Sequence, residues 1–465
     1  VAAQPAAQAS TRSDRRAELA ARALAWDILQ QVEAGGYADA LLGSRLPSST
    51  LPARDQALVT RLVYGTIAWQ RYLDHILAAF CRRALADLDP PVRAVLRLAL
   101  YQTCILTRIP RFAAVDTSVS LIKRYRGGMA AGFVNAVLRR ATAQWQGVPL
   151  PARHADLAGH LSVRYSHPRW LVERWLALLG EEETGALLQA NNEPAATALR
   201  INPRRSSRAA LLDRLRAAGI AAHPGHHSPQ AVIVEGVAPE TLPGFAEGCF
   251  SVQGEASQLI GFLAAPKRGQ RWLDACAAPG GKATHLAELM DNDGEIVALD
   301  IHAPGLDRLN KTAARLGLTC IRTEVGDAAS WKDSGDGFDG ILIDAPCSGL
   351  GTLRQHPEIR WRRTPADIAD LSVLQERIVS NLAPCLRPGG VLLYSTCTLT
   401  DEENDSLVRR ILDNHPSFTI DDPRHDLPPD AQGLIAADAA LRTYPHRQGL
   451  DGFFAVRLRR STTRG

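Results

Sequence analysis

Cys347 and Cys397 each stand just past a short apolar run. The first follows Gly340–Asp344 in Ala345-Pro346-Cys347-Ser348-Gly349, and the second follows Val391–Tyr394 in Ser395-Thr396-Cys397-Thr398. A lone cysteine is more often an inert, small apolar residue than a nucleophile. Two of them at the carboxyl ends of consecutive strands, with Asp344 just before the first, suit covalent catalysis. A thiolate adds to an electrophile and a neighbouring group handles the proton.

A second constellation lies upstream. Asp274-Ala275-Cys276-Ala277-Ala278-Pro279-Gly280-Gly281-Lys282 follows one apolar run and opens a helical one. Ligands of open α/β sheets bind at such carboxyl-end crevices. Small residues let a ligand approach the backbone, and a helix N-terminus favours a negative group. The dinucleotide pattern GxGxxG is absent. The P-loop pattern fails because Cys276 stands where its first Gly belongs and Ala283 where Ser/Thr belongs. Asp300 ends the next run and can accept ribose hydroxyls, and Asp327, in Gly326-Asp327-Ala328, can face an adenine. A glycine loop followed by strand-end acids, with no phosphate motif, suits a nucleoside without phosphates. S-adenosylmethionine has the matching parts: ribose, adenine, carboxylate and sulfonium. Any one of these acids alone reads more readily as a cap or turn former; their order within one unit carries the cofactor reading.

A methyl donor beside two thiols points to carbon methylation of a pyrimidine. C5 of cytosine is a poor nucleophile until a thiolate adds to C6 and makes C5 carbanion-like. The adduct needs a donor near N3, where Asp344 is placed. Its release needs loss of the C5 proton and elimination of the thiol, where a second thiol or base is useful. Amino-methylating enzymes carry Asp/Asn-Pro-Pro-Tyr at the fourth strand end; here Asp-Ala-Pro-Cys points to carbon. Spacing alone does not rank the two thiols, and Cys276 and Cys320, nearer strand interiors or starts, read as core.

The elements that must position these residues are legible after residue 251. Apolar runs at Arg271–Cys276, Glu295–Ile301, Cys320–Val325, Gly340–Asp344 and Val391–Thr396 alternate with helices at Ala283–Met290, Gly305–Leu316, Pro365–Leu386 and Glu402–Asn414. This predicts a parallel, Rossmann-like α/β sheet, ending in an antiparallel strand at Gly452–Leu458. Residues 1–13 read as a disordered tail. Apolar residues at three-to-four spacing over 14–145 predict an all-α bundle, with breaks at Gly35-Gly36, Pro47–Pro52, Pro90-Pro91, Pro110 and Gly127-Gly128. Residues 146–250 read as a linker with helices Arg169–Leu179 and Glu181–Asn192, then a small α+β module, and 251–465 as the catalytic domain. The 465 residues suit about three domains.

The net charge of +4 conceals an asymmetry: +9 over residues 1–150, zero over 151–250 and −5 over the rest. A basic helical module suggests a polyanion partner, with a solvated Arg-rich surface as the alternative. The eight cysteines form no CxxC pair, so neither a disulfide scaffold nor a metal site is signalled, and most are expected as buried reduced thiols. No apolar run approaches the ~20 residues that span a bilayer, and no signal peptide is visible. The protein reads as a cytoplasmic monomer needing no membrane and no metal.

Residues 251–465 resemble the RNA cytosine-C5 methyltransferase family through DACAAPGGKATHLAELM, VALD, GDA, ILIDAPCSGLGTLRQHPEIRW, LRPGG, YSTCTLTDEEN and DGFF. Residues 14–142 resemble the antitermination factor NusB through LVYGTIAWQRYLD, LRLALYQTCILTRIP and GFVNAVLRRA. With YSHPRWLVERW and LRINP…GCFSVQGEASQL, nearly the whole chain is similar to the RsmB (Sun/Fmu) family of bacterial 16S ribosomal RNA methyltransferases. That resemblance implies that Cys276, Ala277, Ala278, Pro279, Gly280, Gly281 and Lys282 wrap S-adenosylmethionine. It implies Asp300 at the ribose, Asp327 by the adenine, and Asp344 at the cytosine with Lys282. Cys397 is then the nucleophile, Cys347 assists release, and the target is cytosine 967 of 16S ribosomal RNA. Such a base must leave any stack before a thiol reaches C6, which suits single-stranded or loop RNA. His167, Trp170, Arg204, Arg205, Tyr444 and His446 are candidate RNA contacts; a packed core or turn accounts for them better. Two other readings stand beside this one: a transfer-RNA cytosine-C5 methyltransferase, and a catalytically inert RNA-binding antitermination or assembly protein.

Overall fold

The computed structural model describes residues 12–106, 109–235, 238–333 and 335–462. By contact it divides into two units, Val1–Glu193 with Leu353–Arg362, and Pro194–Thr352 with Arg363–Gly465.

The first unit is helical. Its helices run over Arg12–Glu33, Ala38–Arg45, Ala53–Ala68, Gln70–Phe80, Pro90–Leu100, Arg111–Gln144, Leu157–Arg164 and Arg169–Ala190. They close on a core that includes Trp26, Leu62, Leu73, Val95, Leu98, Val134 and Leu138. Pro90 and Pro91 occupy the first turn of their helix, where the missing N–H costs nothing. The break expected at Gly127-Gly128 does not occur: one 34-residue helix runs through both glycines. Each interior glycine costs only about 1 kcal/mol relative to alanine, less than is gained by burying Ile122, Val134 and Leu138 of the same helix. Gly180 does break the chain, at φ 78°, between the two helices expected there. The tail expected over residues 1–13 lies outside the described residues up to position 11, and Arg12 begins the first helix.

The segment Leu353–Arg362 belongs to this unit although the sequence around it builds the other. Arg360 is fully buried and donates to the carbonyls of Ser166 and Asn191 and to Asn192 Oδ1. Trp361 Nε1 donates to Ile67 O at 2.7 Å, and Glu358 Oε1 accepts from the Ala38 amide at 3.0 Å. Asp39, His356 and Glu358 bring one potential metal-ligand atom each within 4.8 Å of the others. That set is separate from the residues singled out above.

The second unit holds two sheets. Strands β1 (Thr197–Ile201), β2 (Ala222–Pro224), β3 (Ala231–Val234) and β4 (Phe250–Val252) form an antiparallel sheet in the order β2-β3-β1-β4. Helix Arg208–Ala217 packs Leu211 and Leu215 against Leu199, Val232 and Phe250. Strands β5 (Arg271–Asp274), β6 (Glu295–Asp300), β7 (Ile321–Val325), β8 (Phe338–Asp344) and β9 (Leu386–Thr396) run parallel. Strands β10 (Phe418–Ile420), β11 (Leu441–Thr443) and β12 (Phe453–Arg460) complete an eight-stranded sheet, ordered β10-β12-β9-β8-β5-β6-β7 with β11 on β12. β12 is antiparallel to β9, as the sequence predicts. Side chains alternate between the faces: Trp272, Ile296 and Ala298 pack on one side, Leu273, Val297 and Leu299 on the other. Both faces are covered, which is why these strands read as continuous apolar runs. Chain order reverses at β5, between β6 and β8, so the crevice lies at the carboxyl ends of these strands. Among the described residues no helix is long and apolar enough to cross a membrane.

Candidate active site

The glycine loop leaves β5 after Asp274 and enters the helix Gly281–Leu289. Gly280 caps that helix at φ 107°, and a Cβ there would meet Leu309 at 2.5 Å, so this turn requires glycine. Asp300, at the end of β6, holds the loop from the side: its Oδ2 accepts from the Ala278 amide at 2.9 Å and its Oδ1 from the His302 amide at 2.8 Å. Each oxygen keeps a lone pair for a further donor. Asp327, past β7, is exposed and accepts from the Ala329 amide at 2.9 Å, so it forms the turn as well as being open to a ligand.

Asp274 is the most unusual group of the loop. It is fully buried, and neither carboxylate oxygen has a hydrogen-bond partner of normal geometry. Burial, then the charge of Asp344, pushes its pKa up to about 7, against a smaller pull from Lys282. An acid whose pKa is raised on folding binds more protons in the folded state, so stability falls as pH rises from about 4 to about 7 and then levels off. We expect Asp274→Asn to be the more stable protein at pH 8, by up to a few kcal/mol, and to lose that advantage at pH 4. Melting temperatures of both proteins across this range check it; parallel profiles would show that Asp274 does not titrate there.

The two thiols meet. Cys347, past β8, and Cys397, past β9, bring their sulfurs to 3.4 Å. Pairing of these adjacent strands sets the spacing, with Asp344 opposite Ser395. The hydrogen bond to Cys397, together with burial, pushes the Cys347 thiol well above its ordinary value, so it stays protonated. Lys282 Nζ lies 2.6 Å from Asp344 Oδ2, and Ser395 Oγ donates to Asp344 Oδ1 at 2.9 Å. Burial lowers the affinity of Lys282 for its proton, but Asp344 outweighs it, aided by Cys397, and the ammonium is held charged. A charged ammonium therefore stands in the electrostatic neighbourhood of Cys397.

The structure thus gathers Asp274, Cys276–Lys282, Asp300, Asp327, Asp344, Cys347 and Cys397 at the carboxyl ends of β5–β9. Cys276 and Cys320 are half-buried and pack against the core, Cys320 on one face of the sheet and Cys276, from the loop beyond β5, on the other. Of the eight cysteines only Cys104 and Cys249 are buried. Elsewhere, His167 is fully buried beside Trp175 and Tyr444 meets His446 edge-on, as packed core and turn residues do, whereas Trp170 is half-buried and Arg204, paired with Asp291, and Arg205 are exposed.

Several supporting residues escape a reading of spacing alone. Arg200 of β1 is fully buried, pairs with Glu288 at 2.9 Å, donates to Gly281 O and Thr284 Oγ1, and hydrogen-bonds Gln253. It therefore fixes the helix that opens the glycine loop. Its only sequence signal is an arginine within an apolar strand, LRIN. Glu403 and Gln375 lie behind the thiols; the acidic run DEEN carries no mark that its third residue is buried.

A mixed sheet whose strands β5–β9 run parallel, with this loop and these strand-end acids, has the fold of a Rossmann-like methyltransferase. Residues 262–459 match the family described as 16S rRNA methyltransferase RsmB/F, residues 19–143 the NusB family, and residues 167–239 the RsmF/B-like ferredoxin-like domain. The "Probable ribosomal RNA small subunit methyltransferase B" of Bacillus subtilis is 36% identical over 94% of this chain and 98% of its own. The "Ribosomal RNA small subunit methyltransferase B" of Pseudomonas putida is 37% identical over 91% and 97%. The crystal structure of PH0851 superposes with a TM-score of 0.81 at 26% identity, covering 95% of this chain and 98% of that one. The chain belongs to the RsmB/F methyltransferase family. It is an RNA methyltransferase with S-adenosylmethionine as its cofactor. The orphaned carboxylate of Asp274, beside a loop of small residues, fits a ligand with ammonium and hydroxyl donors.

Proposed function

We propose that this protein methylates C5 of a cytosine in 16S ribosomal RNA, at the family's site, cytosine 967, through a covalent adduct of Cys397 with C6. The observation that carries this reading is the 3.4 Å contact of two thiols on adjacent strand ends beside the Lys282–Asp344 pair. S-adenosylmethionine supplies an electrophilic methyl group.

In this reading Cys276–Lys282 wrap the cofactor, Asp300 takes the ribose hydroxyls, Asp327 lies by the adenine, and Asp344 borders the methyl donor as well as the base. The Cys397 thiolate forms a bond to C6. The displaced electron pair moves toward N3, where the Lys282–Asp344 pair delivers a proton, and C5 becomes nucleophilic. C5 takes the methyl group. The C5 proton then leaves to a base, N3 returns its proton to the Lys282–Asp344 pair, the C6–sulfur bond breaks, and the C5–C6 double bond returns. Cys347, held as a thiol, protonates or screens the departing Cys397 sulfur. The protonated state of Cys347 and the charged ammonium near Cys397 favour Cys397 as nucleophile. The NusB-like helices and the ferredoxin-like module hold flanking RNA, chiefly by arginine–phosphate contacts; the +9 charge over residues 1–150 supports this.

Asp344→Asn weakens the hold on Lys282 and removes the acid beside the base. We expect kcat to fall by about 10²–10⁴-fold, measured under saturating S-adenosylmethionine; near-normal turnover would remove Asp344 from the proton path. The reading as a whole is tested by transfer of tritiated methyl into unmodified 16S RNA, with bisulfite mapping of the product. One resistant cytosine at the family's site is the expected result. Transfer to transfer RNA alone would keep the chemistry and replace the substrate. Tight RNA binding with no S-adenosylmethionine bound in calorimetry would leave an inert RNA-binding protein.

A further inference from the structure

One residue past each thiol the chain carries a hydroxyl, and the two hydroxyls meet. Ser348 Oγ and Thr398 Oγ1 are 2.6 Å apart and fully buried. This contact runs beside the Cys347–Cys397 contact like a second rung. Glu403, also fully buried, anchors it. Glu403 Oε1 accepts from the Ser348 amide at 2.8 Å and from Gln375 Nε2 at 3.0 Å. Its Oε2 accepts from Ser348 Oγ at 2.5 Å and from Thr400 Oγ1 at 2.6 Å. All four donate: two bonds come from Ser348 in the Cys347 loop, one from Thr400 in the Cys397 loop and one from Gln375 of the helix Pro365–Leu382. Because Ser348 spends its only hydroxyl proton on Glu403, Thr398 must donate to Ser348. The direction of the rung is thereby fixed. The same loops are closed by Gln375, which donates to Pro346 O, and by Asn404, which donates to Thr398 O.

We propose that Glu403, acting through the Ser348–Thr398 hydroxyl pair, is the positioning residue that fixes the separation and facing of the two thiols. It touches neither base nor cofactor in this role. The proposal rests on the two-thiol reading above. Covalent addition and release need the sulfurs placed closely, and a misplacement of about 1 Å can cost about a hundredfold in rate. Strand pairing ends at Ser395, before Cys397; past that point one backbone bond, from the Gly351 amide to Cys397 O at 2.9 Å, and the side chains named above tie the two loops together.

The test uses the full-length chain with unmodified 16S RNA. In Glu403→Gln an amide nitrogen replaces one oxygen and faces donors, so Ser348 must turn its hydroxyl and the rung loses its order. Thr398→Val removes the rung at nearly constant volume, and Thr398→Ser keeps the hydroxyl. We expect Glu403→Gln and Thr398→Val to lower kcat by about ten- to a hundredfold. The calorimetric affinity for S-adenosylmethionine and its KM should stay within about threefold, and Thr398→Ser should recover most of kcat. Unchanged kcat in both variants would overturn the proposal. So would a loss of cofactor affinity and melting temperature in step with kcat, with Thr398→Ser no better than Thr398→Val, which is what a merely structural role predicts. Wild-type protein incubated with RNA carrying 5-fluorocytosine separates the two levels, because that base blocks release of the adduct. If no adduct forms, the two-thiol reading fails, and this proposal with it; if one forms, the Glu403 and Thr398 variants decide.

Discussion

Cys397→Ser is expected to abolish methyl transfer, with kcat reduced by about 10⁴-fold or more, while the affinity for S-adenosylmethionine is unaltered. The serine hydroxyl is nearly isosteric, so the 3.4 Å neighbourhood of Cys347 and the Lys282–Asp344 pair survives. What disappears is the sulfur nucleophile itself. A serine alkoxide is far costlier to form, and C5 of cytosine is not activated without addition at C6. The fall corresponds to about 5 kcal/mol or more of lost transition-state stabilisation. Single-turnover transfer to 16S RNA measures it, with calorimetry of the cofactor as control. Substantial residual activity would move the nucleophile elsewhere.

Cys347→Ser is expected to give the opposite phenotype: addition proceeds and release stalls. Cys347 is held as a thiol by its contact with Cys397, which suits a group that meets the departing sulfur. Without it the enzyme should accumulate an RNA–protein adduct that survives a denaturing gel, and turnover should fall by about 10²-fold or more. The double variant Cys347→Ser/Cys397→Ser should show no adduct. An adduct in Cys397→Ser and none in Cys347→Ser would exchange the roles of the two thiols. The contrast is diagnostic because both substitutions remove one sulfur from the same pair and alter the local volume equally.

The catalytic elements are legible in the residues themselves because burial writes a local pattern. The runs that form β5, β6, β8 and β9 are apolar on both faces, and the helices between them carry the matching periodicity. The glycine loop is legible because its turn must be small to fit against Leu309, a constraint on residue type. Spacing misleads where a local signal meets a stronger tertiary one. Gly127-Gly128 has the composition of a break and lies within a single helix, because apolar burial along that helix exceeds the cost of two glycines. Cys276 reads as part of an apolar strand and does pack against the core, but β5 ends at Asp274 and the cysteine falls in the loop.

Sequence by itself determined the classes of chemistry present: two thiols past strand ends, a phosphate-free glycine loop, and acids in strand order. These depend on residue type and on separations of a few positions, which secondary structure turns directly into place. Only the tertiary structure decided which groups touch. It put Glu403 under Ser348, 55 positions away, left the buried Asp274 carboxylate without a hydrogen-bond partner of normal geometry, and assigned Leu353–Arg362 to the helical unit through Arg360 and Trp361. Such contacts follow from the order in which strands pair and from how loops close beyond them. Neither leaves a periodicity in the chain, since a buried glutamate and an exposed one are the same letter.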